Sequence, residues 1–340
     1  MSTLLRGRAA RSLAGLTAGA VATAGLLAIS AAPAHADTSA PVLKWEISQR
    51  FDDHLSTHVL SGGATEDAAG VITFQDGVGY YDPKDGSTWM SYTGSVSGSF
   101  VNGTTTFYTV TLADPIVTIN DTGAGSISAL VSAWNAGGMG PEASTTPARV
   151  VVTRFTAAAS TWTTSPGGPS VTATPDWAGV LPADSAQAQA LGIPAGKPVD
   201  GKAFAASFLG QLTPGVRAHF YASGSASDAT KAPSPFTLQA PKSDTTLTSG
   251  WTKQPKAGKK ASLEVSASGV LGTPTGQVTV ALQRKGAKKV KQVTATLANG
   301  AAVLPVGKLK AGRWTVTVSY AGDGNNKAVS LTDTLRLEKR

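Results

Sequence analysis

The chain has 340 residues, a formal net charge of +8 and no cysteine. The lack of cysteine excludes disulfide bonds, thiol chemistry and thiolate metal sites, so packed hydrophobic cores must supply the stability. The length exceeds that of one usual hydrophobic core, which predicts two domains.

The N-terminal residues have the pattern of an export signal. Three arginines precede an apolar run, and Ala34-His35-Ala36 follows as a small-residue cleavage site. This pattern predicts a signal peptide over 1–36 and a secreted, extracellular or cell-envelope-associated product. The run is short for a membrane span and no second run follows, so no transmembrane span is expected in the mature chain.

The charge divides the mature chain into two parts. Residues 37–242 carry 10 basic and 16 acidic side chains, a net charge of −6, whereas residues 243–340 carry 16 basic and 5 acidic side chains, a net charge of +11. We therefore predict an acidic domain over 37–242 and a basic domain over 243–340. Export and strand-like patterning exclude nucleic acid as a partner, and an anionic cell envelope is expected instead.

The acidic domain opens with a change of periodicity. Residues 43–47 alternate between apolar and polar side chains, as in a half-buried strand, while Phe51, His54, Leu55 and His58 recur at the spacing of one helical face. A strand followed by a short helix is predicted, with both histidines on its apolar face. They are a candidate site, and the alternative, that they are ordinary histidines at a helix end, stays open.

The rest of this domain predicts an antiparallel β fold with one or two short helices, because short strand-like runs alternate with turns and no strand-then-long-helix rhythm appears. The predicted strands are 71–74, 89–93, 107–112, 116–119, 126–134, 150–155 and 236–238. Asp114-Pro115 is expected to break the third of these from the fourth. A long loop is predicted over 160–198, with a short helix at 185–191.

The basic domain has evenly spaced short strands with turn signals between them. Seven are predicted, at 245–248, 261–266, 277–283, 290–297, 301–305, 313–320 and 329–337. This number and spacing predict a seven-stranded immunoglobulin-like β-sandwich. The segments PTGQVTV (274–280) and LKAGRWTVTVSYAGDGN (309–325) resemble the bacterial Ig-like repeats of exported surface proteins. Eight lysines crowd two turns, over 253–260 and 285–291, where we expect retention at the anionic envelope.

Enzymatic activity is not expected. The chain lacks a Gly-x-Ser-x-Gly elbow and a phosphate-cradling glycine motif, and the adjacent Asp52 and Asp53 do not converge on one substrate. The remaining reactive side chains are imidazoles and phenols: His54, His58, His219 and Tyr221, with Tyr92 and Tyr108 in the β region. A flat apolar cofactor with one metal needs an apolar slot and a histidine or tyrosine axial ligand.

Three segments together resemble the HtaA-type heme-uptake domain of actinobacterial cell envelopes: LKWEISQRF (43–51), GSVSGSF…VTLADPIVTI (94–119) and AFAASF…HFYASG…SPFTL (203–238). The resemblance covers 43–239. It implies a secreted or surface module that binds heme and passes it toward a membrane importer. In that family a tyrosine ligates the iron, supported by a histidine and a second tyrosine.

Carried onto this sequence, the position of the ligand tyrosine falls on His54, and the second tyrosine is matched by Tyr221. The family's glycine-histidine pair falls near Ser99-Phe100, where no histidine stands. The resemblance therefore implies ferric heme as the cofactor, His54 as its axial ligand, and His58 and Tyr221 nearby. Heme or a heme-carrying host protein is the expected partner. The alternative is a cell-surface interaction or adhesion protein whose HtaA-like domain has lost heme ligation.

Overall fold

The computed structural model describes residues 40–137, 141–165 and 167–339. The predicted signal peptide over 1–36 lies outside these ranges. Within them, no helix combines the length and the apolar character needed to cross a membrane.

The acidic region contains thirteen strands and four short α-helices among the described residues. In chain order they are β1 (Leu43–Trp45), α1 (Gln49–His54), β2 (Thr57–Ser61), β3 (Thr65–Glu66), β4 (Ile72–Tyr81), β5 (Thr88–Thr93), β6 (Ser95–Asn102), β7 (Thr105–Ile119), β8 (Ala124–Asn135), β9 (Ala143–Ser144), β10 (Ala148–Thr156), β11 (Thr163–Ser165), β12 (Gly168–Ala173), α2 (Ala186–Ala190), α3 (Ala206–Gln211), α4 (Pro214–Arg217) and β13 (Phe236–Gln239). A 3₁₀ turn over Ala218–Phe220 follows α4 directly.

These strands form one sheet in the order β10-β8-β7-β5-β4-β1-β13-β12-β11, with β6 on β7 and β2 on β6. Each of these pairings is antiparallel. The predicted antiparallel β fold with short helices is therefore confirmed. The first and last strands of the region, β1 and β13, are neighbours in the interior of this sheet.

The predicted break at Asp114-Pro115 is wrong. β7 continues through both residues, and its register with β8 shifts between Ala113 and Ile116. Asp114 adopts a positive φ of 47° there. Proline is tolerated inside a strand at such a bulge, where the missing N–H breaks no ladder bond.

The predicted loop over 160–198 is only partly loop. β12 lies within it and pairs with β13 over residues 170–173, burying Val171 in the core. The strand has only six residues and begins with a glycine and a proline, so its sequence shows no clear alternation of apolar and polar side chains. The short helix predicted at 185–191 is present as α2.

The basic region contains seven strands in two sheets, which confirms the predicted immunoglobulin-like sandwich. The strands are β14 (Thr245–Trp251), β15 (Lys260–Gly269), β16 (Gln277–Arg284), β17 (Val290–Thr296), β18 (Ala301–Lys308), β19 (Gly312–Tyr320) and β20 (Val329–Leu337). One sheet has the order β14-β15-β18 and the other β17-β16-β19-β20. Alternate inward residues such as Val278, Val280 and Val318 are fully buried between them.

Candidate functional site

Helix α1 begins and ends at identifiable signals. The Ser48 hydroxyl caps it by accepting a hydrogen bond of 3.1 Å from the Phe51 N–H. The helix ends at His54, and Thr57 starts β2, in which His58 pairs with Gly98 of β6. The predicted common helical face of His54 and His58 is therefore wrong, because strand pairing with β6 ends the helix between them.

The position of α1 depends on a close approach to β6. Phe51 and Leu55 are fully buried, and both lie against Gly98. A Cβ atom at Gly98 would lie 2.8 Å from Phe51 Cζ and 3.1 Å from Leu55 Cβ. Only a glycine lets the helix come this near to the strand, and this contact sets the position of His54 at the end of α1.

His54 lies in a cluster of rings drawn from four elements: α1, β6, β7 and the 3₁₀ turn after α4. Its ring stacks on Phe100 of β6 at a centroid distance of 4.5 Å and lies 4.9 Å from His219 and 6.0 Å from Tyr108 of β7. Tyr108 and His219 stack at 5.0 Å with an interplanar angle of 23°. Phe107 lies beside Phe100 at 5.6 Å. We call these five residues the His54 cluster.

Both imidazoles of the His54 cluster are neutral at neutral pH. Burial, followed by the nearby His54, Arg50 and Lys231, lowers the pKa of His219 to about 3. Burial, followed by the charge of Arg50, also lowers the pKa of His54. A neutral imidazole offers a nitrogen lone pair, which is the form that binds metals.

Arg50 connects α1 to His219. It lies four residues before His54, on the same side of the helix. Its Nε donates to His219 Nδ1 at 3.5 Å. Because a guanidinium only donates, Nδ1 accepts and the neutral His219 ring carries its proton on Nε2.

Tyr108 has a buried hydroxyl without a partner. The residue is 1% exposed, and its Oη has no hydrogen-bond partner among the described residues. Burial raises the pKa of Tyr108, and the charge of Arg50 only partly offsets this. An unsatisfied buried hydroxyl costs about 1–3 kcal/mol, and the ring that carries this one lies against those of His54 and His219.

Of the predicted site residues, the structure brings only His54 into this cluster. Tyr221 is 6% exposed, and its backbone forms an isolated β-bridge with Ala203. Burial raises the pKa of Tyr221, and the charge of Arg217 partly offsets this. Among the described residues no ring contact joins Tyr221 to the His54 cluster. Its role near a bound cofactor stays a prediction.

His58 has partners of its own. Its Nδ1 lies 2.6 Å from Glu66 Oε1 and its Nε2 lies 3.3 Å from the Phe51 carbonyl oxygen. Together with Asp52, His58 and Glu66 place one ligand atom each within 4.8 Å of one another, a set that could hold a metal ion. Burial raises the pKa of Asp52. His58 can therefore serve a ligand only by giving up an existing contact.

Tyr108 and His219 are among the reactive side chains of the sequence, but no role was predicted for either. They lie 54 and 165 residues from His54, so no spacing rule joins them to it. The available signal was the run His219-Phe220-Tyr221, in which a histidine interrupts an apolar segment before the last strand of the sheet.

Comparison with families of known proteins finds two matches. A family model described as Htaa matches residues 41–205, and one described as Bacterial Ig-like domain (group 3) matches residues 247–336. The C-terminal domain of HtaA from Corynebacterium glutamicum is similar at 16% identity and a TM-score of 0.35, over 59% of this chain and 96% of that chain.

A domain-swapped dimer of a variant of the same domain is similar at 19% identity and a TM-score of 0.28, over 35% of this chain and 67% of that chain. No curated protein matches. The chain is thus a β-rich protein in which two successive regions match different family models. It carries an HtaA domain over 41–205 followed by a bacterial Ig-like domain over 247–336.

Proposed function

We propose that the HtaA domain binds ferric heme at the His54 cluster, with His54 as an axial ligand of the iron. The observation that carries the proposal is a partly exposed, neutral imidazole at the edge of a ring cluster that also holds a second neutral imidazole and an unpartnered hydroxyl. Heme, when bound, supplies an iron atom that accepts such nitrogen or oxygen ligands.

The protonation states favour histidine over tyrosine as the ligand. Burial raises the pKa of Tyr108, so its phenol keeps its proton, and a phenol ligates ferric iron as the tyrosinate. Burial has the opposite effect on His54 and His219, because it disfavours the imidazolium and leaves the ligating form. His54 is the more accessible of the two imidazoles and lies at the end of α1, at the edge of the His54 cluster.

Two other side chains fit the polar parts of a heme complex. Arg50 is a permanent cation next to both histidines and suits the carboxylates on the edge of the porphyrin. The Tyr108 hydroxyl can donate to an oxygen near the iron, which would satisfy its unused donor. Phe100 and Phe107 supply the apolar ring surface that a flat cofactor requires.

We further propose that the protein is exported and acts in iron acquisition, taking heme from solution or from a heme-carrying host protein and relaying it at the cell envelope. The proposed role is binding and transfer, not catalysis. The family match over 41–205 supports it, since the HtaA family is associated with heme uptake.

Titration of the purified mature chain with hemin tests this function. We expect a saturable, shifted Soret band, and His54→Ala should weaken hemin binding by about tenfold or more because it removes an iron ligand. His219→Ala should have a smaller effect. His58→Gln is the matched control, because His58 lies in a separate hydrogen-bonded group, and it should bind hemin as the parent chain does.

Absence of a Soret shift in the parent chain would contradict the proposal. That result would favour the alternative function, a cell-surface interaction protein whose HtaA domain no longer binds heme. Equal loss in His54→Ala and His58→Gln would instead show that the chosen cluster is the wrong one.

A further inference from the structure

The Ig-like domain has a surface groove whose charged side chains are all lysines. The groove encloses about 580 Å³ where the loop between β14 and β15 turns back into β15. It is lined by Thr252, Lys253, Gln254, Lys256, Lys259, Lys260, Ala261 and Ser262, and we call it the lysine groove.

The loop that carries these lysines is held in place by its backbone. Gly258 N–H donates to the Leu309 carbonyl at 2.8 Å, and Lys259 N–H donates to the Lys256 carbonyl at 3.1 Å, which closes a tight turn. Pro255 is buried beneath the loop. The four ammonium groups are therefore presented by a preformed scaffold, which lowers the entropy cost of binding.

Within the described residues, the lysines that line the groove form no ion pair with a carboxylate. No carboxylate lines it, and the ion pairs of this domain in the described part of the chain belong to Lys327 and Arg336. Lys308 adds to the charge, because it pairs in register with Lys260 across β15 and β18. Like charges gathered this closely repel one another unless anions are near.

We propose that the lysine groove is a binding site for a linear phosphate-bearing polymer of the cell envelope. Lysine ammonium groups act as separate point charges on flexible stems, so a row of them suits anionic groups repeated along a chain better than one planar anion. Several weak contacts on one polymer add up to useful affinity.

The lining favours a polymer over a membrane surface. Membrane binding by a basic face usually adds large apolar side chains that enter the lipid interface. The exposed large apolar residues of this domain are Val270 and Val303, and neither lines the groove. The site is also independent of the His54 cluster, so it stands whether or not heme binds.

The test uses the mature full chain and long-chain inorganic polyphosphate as the probe, with affinity measured at low and at physiological salt. The groove variant is K256Q/K259Q/K260Q. The control variant is K285Q/K288Q/K289Q, which removes the same charge from exposed lysines at the turn between β16 and β17. Vesicles containing phosphatidylglycerol serve as the membrane probe, and the thermal transition of each variant checks its fold.

We expect the parent chain to bind polyphosphate with an affinity that falls steeply with salt. The affinity for polyphosphate should fall about tenfold or more in the groove variant and no more than about threefold in the control variant. Salt screens distant charges, so lysines that contact the polymer contribute more than lysines elsewhere. Should the groove variant unfold, K253Q/K308Q repeats the test on two lysines at the same place. Equal losses in groove and control variants, no loss in the groove variants, or binding to vesicles without binding to polyphosphate would each overturn the proposal.

Discussion

At the scale of single residues, the His54 cluster illustrates how burial selects protonation state. The same loss of solvent that keeps the Tyr108 phenol protonated keeps the His54 and His219 imidazoles neutral. The cluster therefore holds two neutral imidazoles, of which that of His219 accepts from Arg50 through Nδ1, and one hydroxyl donor beside them. It does so at a cost in stability, because a buried neutral histidine must be charged when the chain unfolds in acid.

This cost predicts a pH dependence of stability. The pKa of His219 is about 3 in the folded protein and near its ordinary value when unfolded, so in the window between them only the unfolded chain takes up the proton. The free energy of unfolding should fall as the pH is lowered through this window and be unaffected above it. His219→Gln should remove part of the fall, on the order of 2 kcal/mol near pH 4.5.

Urea unfolding of the parent chain and His219→Gln near pH 7.5 and near pH 4.5 measures the difference. His58→Gln serves as the control for losing any histidine. An identical fall in the parent chain and His219→Gln would count against a neutral, buried His219.

At the scale of secondary-structure elements, the site depends on how α1 meets β6. The sequence predicted the strand at β1 and a helix after it, because the change from alternation to helical spacing is a local signal. It could not predict where the helix ends, because pairing of β2 with β6 joins residues about 40 positions apart and overrides the continuing helical spacing at His58.

Gly98→Ala tests this contact. The added methyl group would lie 2.8 Å from the Phe51 ring, so α1 must move outward or the core must strain, at a cost of about 1–3 kcal/mol. Because α1 carries His54 and Arg50, hemin affinity should fall with stability. Gly250→Ala is the matched control, since a Cβ there meets nothing within 4 Å.

Thermal unfolding and hemin titration of both variants provide the measurement. A Gly98→Ala chain as stable as Gly250→Ala, with parental hemin affinity, would show that the helix does not need this close approach.

At the scale of the whole molecule, two hydrophobic clusters lie on separate parts of the chain. One is built from residues 43–240 and the other from residues 261–337, and they share no member. The net charge changes sign between them, from −6 over 37–242 to +11 over 243–340. Each part therefore has its own source of stability.

We predict that the two domains unfold separately, the HtaA domain with its heme-dependent stability and the Ig-like domain without it. Calorimetry of the mature chain should show two unfolding transitions. Hemin should raise the midpoint temperature of only one of them, because a ligand stabilises the domain that binds it. One transition that shifts as a unit with hemin would indicate a single cooperative body.

Much of this organisation was predictable because it rests on local patterns. Seven evenly spaced strands identified the sandwich, and alternation identified most strands of the larger sheet. The continuation of β7 through Asp114-Pro115 was not predictable, since a bulge that accommodates proline depends on the partner strand. The place of His54 after the first strand follows from local spacing, whereas Tyr108 and His219 meet it only through the packing of β7 and the turn after α4.

The identity of the iron ligand tests the central claim most directly, and resonance Raman and visible absorption spectra of the ferric complex report it. We predict an imidazole-ligated iron in the parent chain. His54→Tyr, which places the family's tyrosine at this position, should replace that spectrum with the charge-transfer band of a tyrosinate ligand. A tyrosinate band already present in the parent chain and lost in Tyr108→Phe, or a spectrum unchanged in His54→Tyr, would contradict ligation by His54.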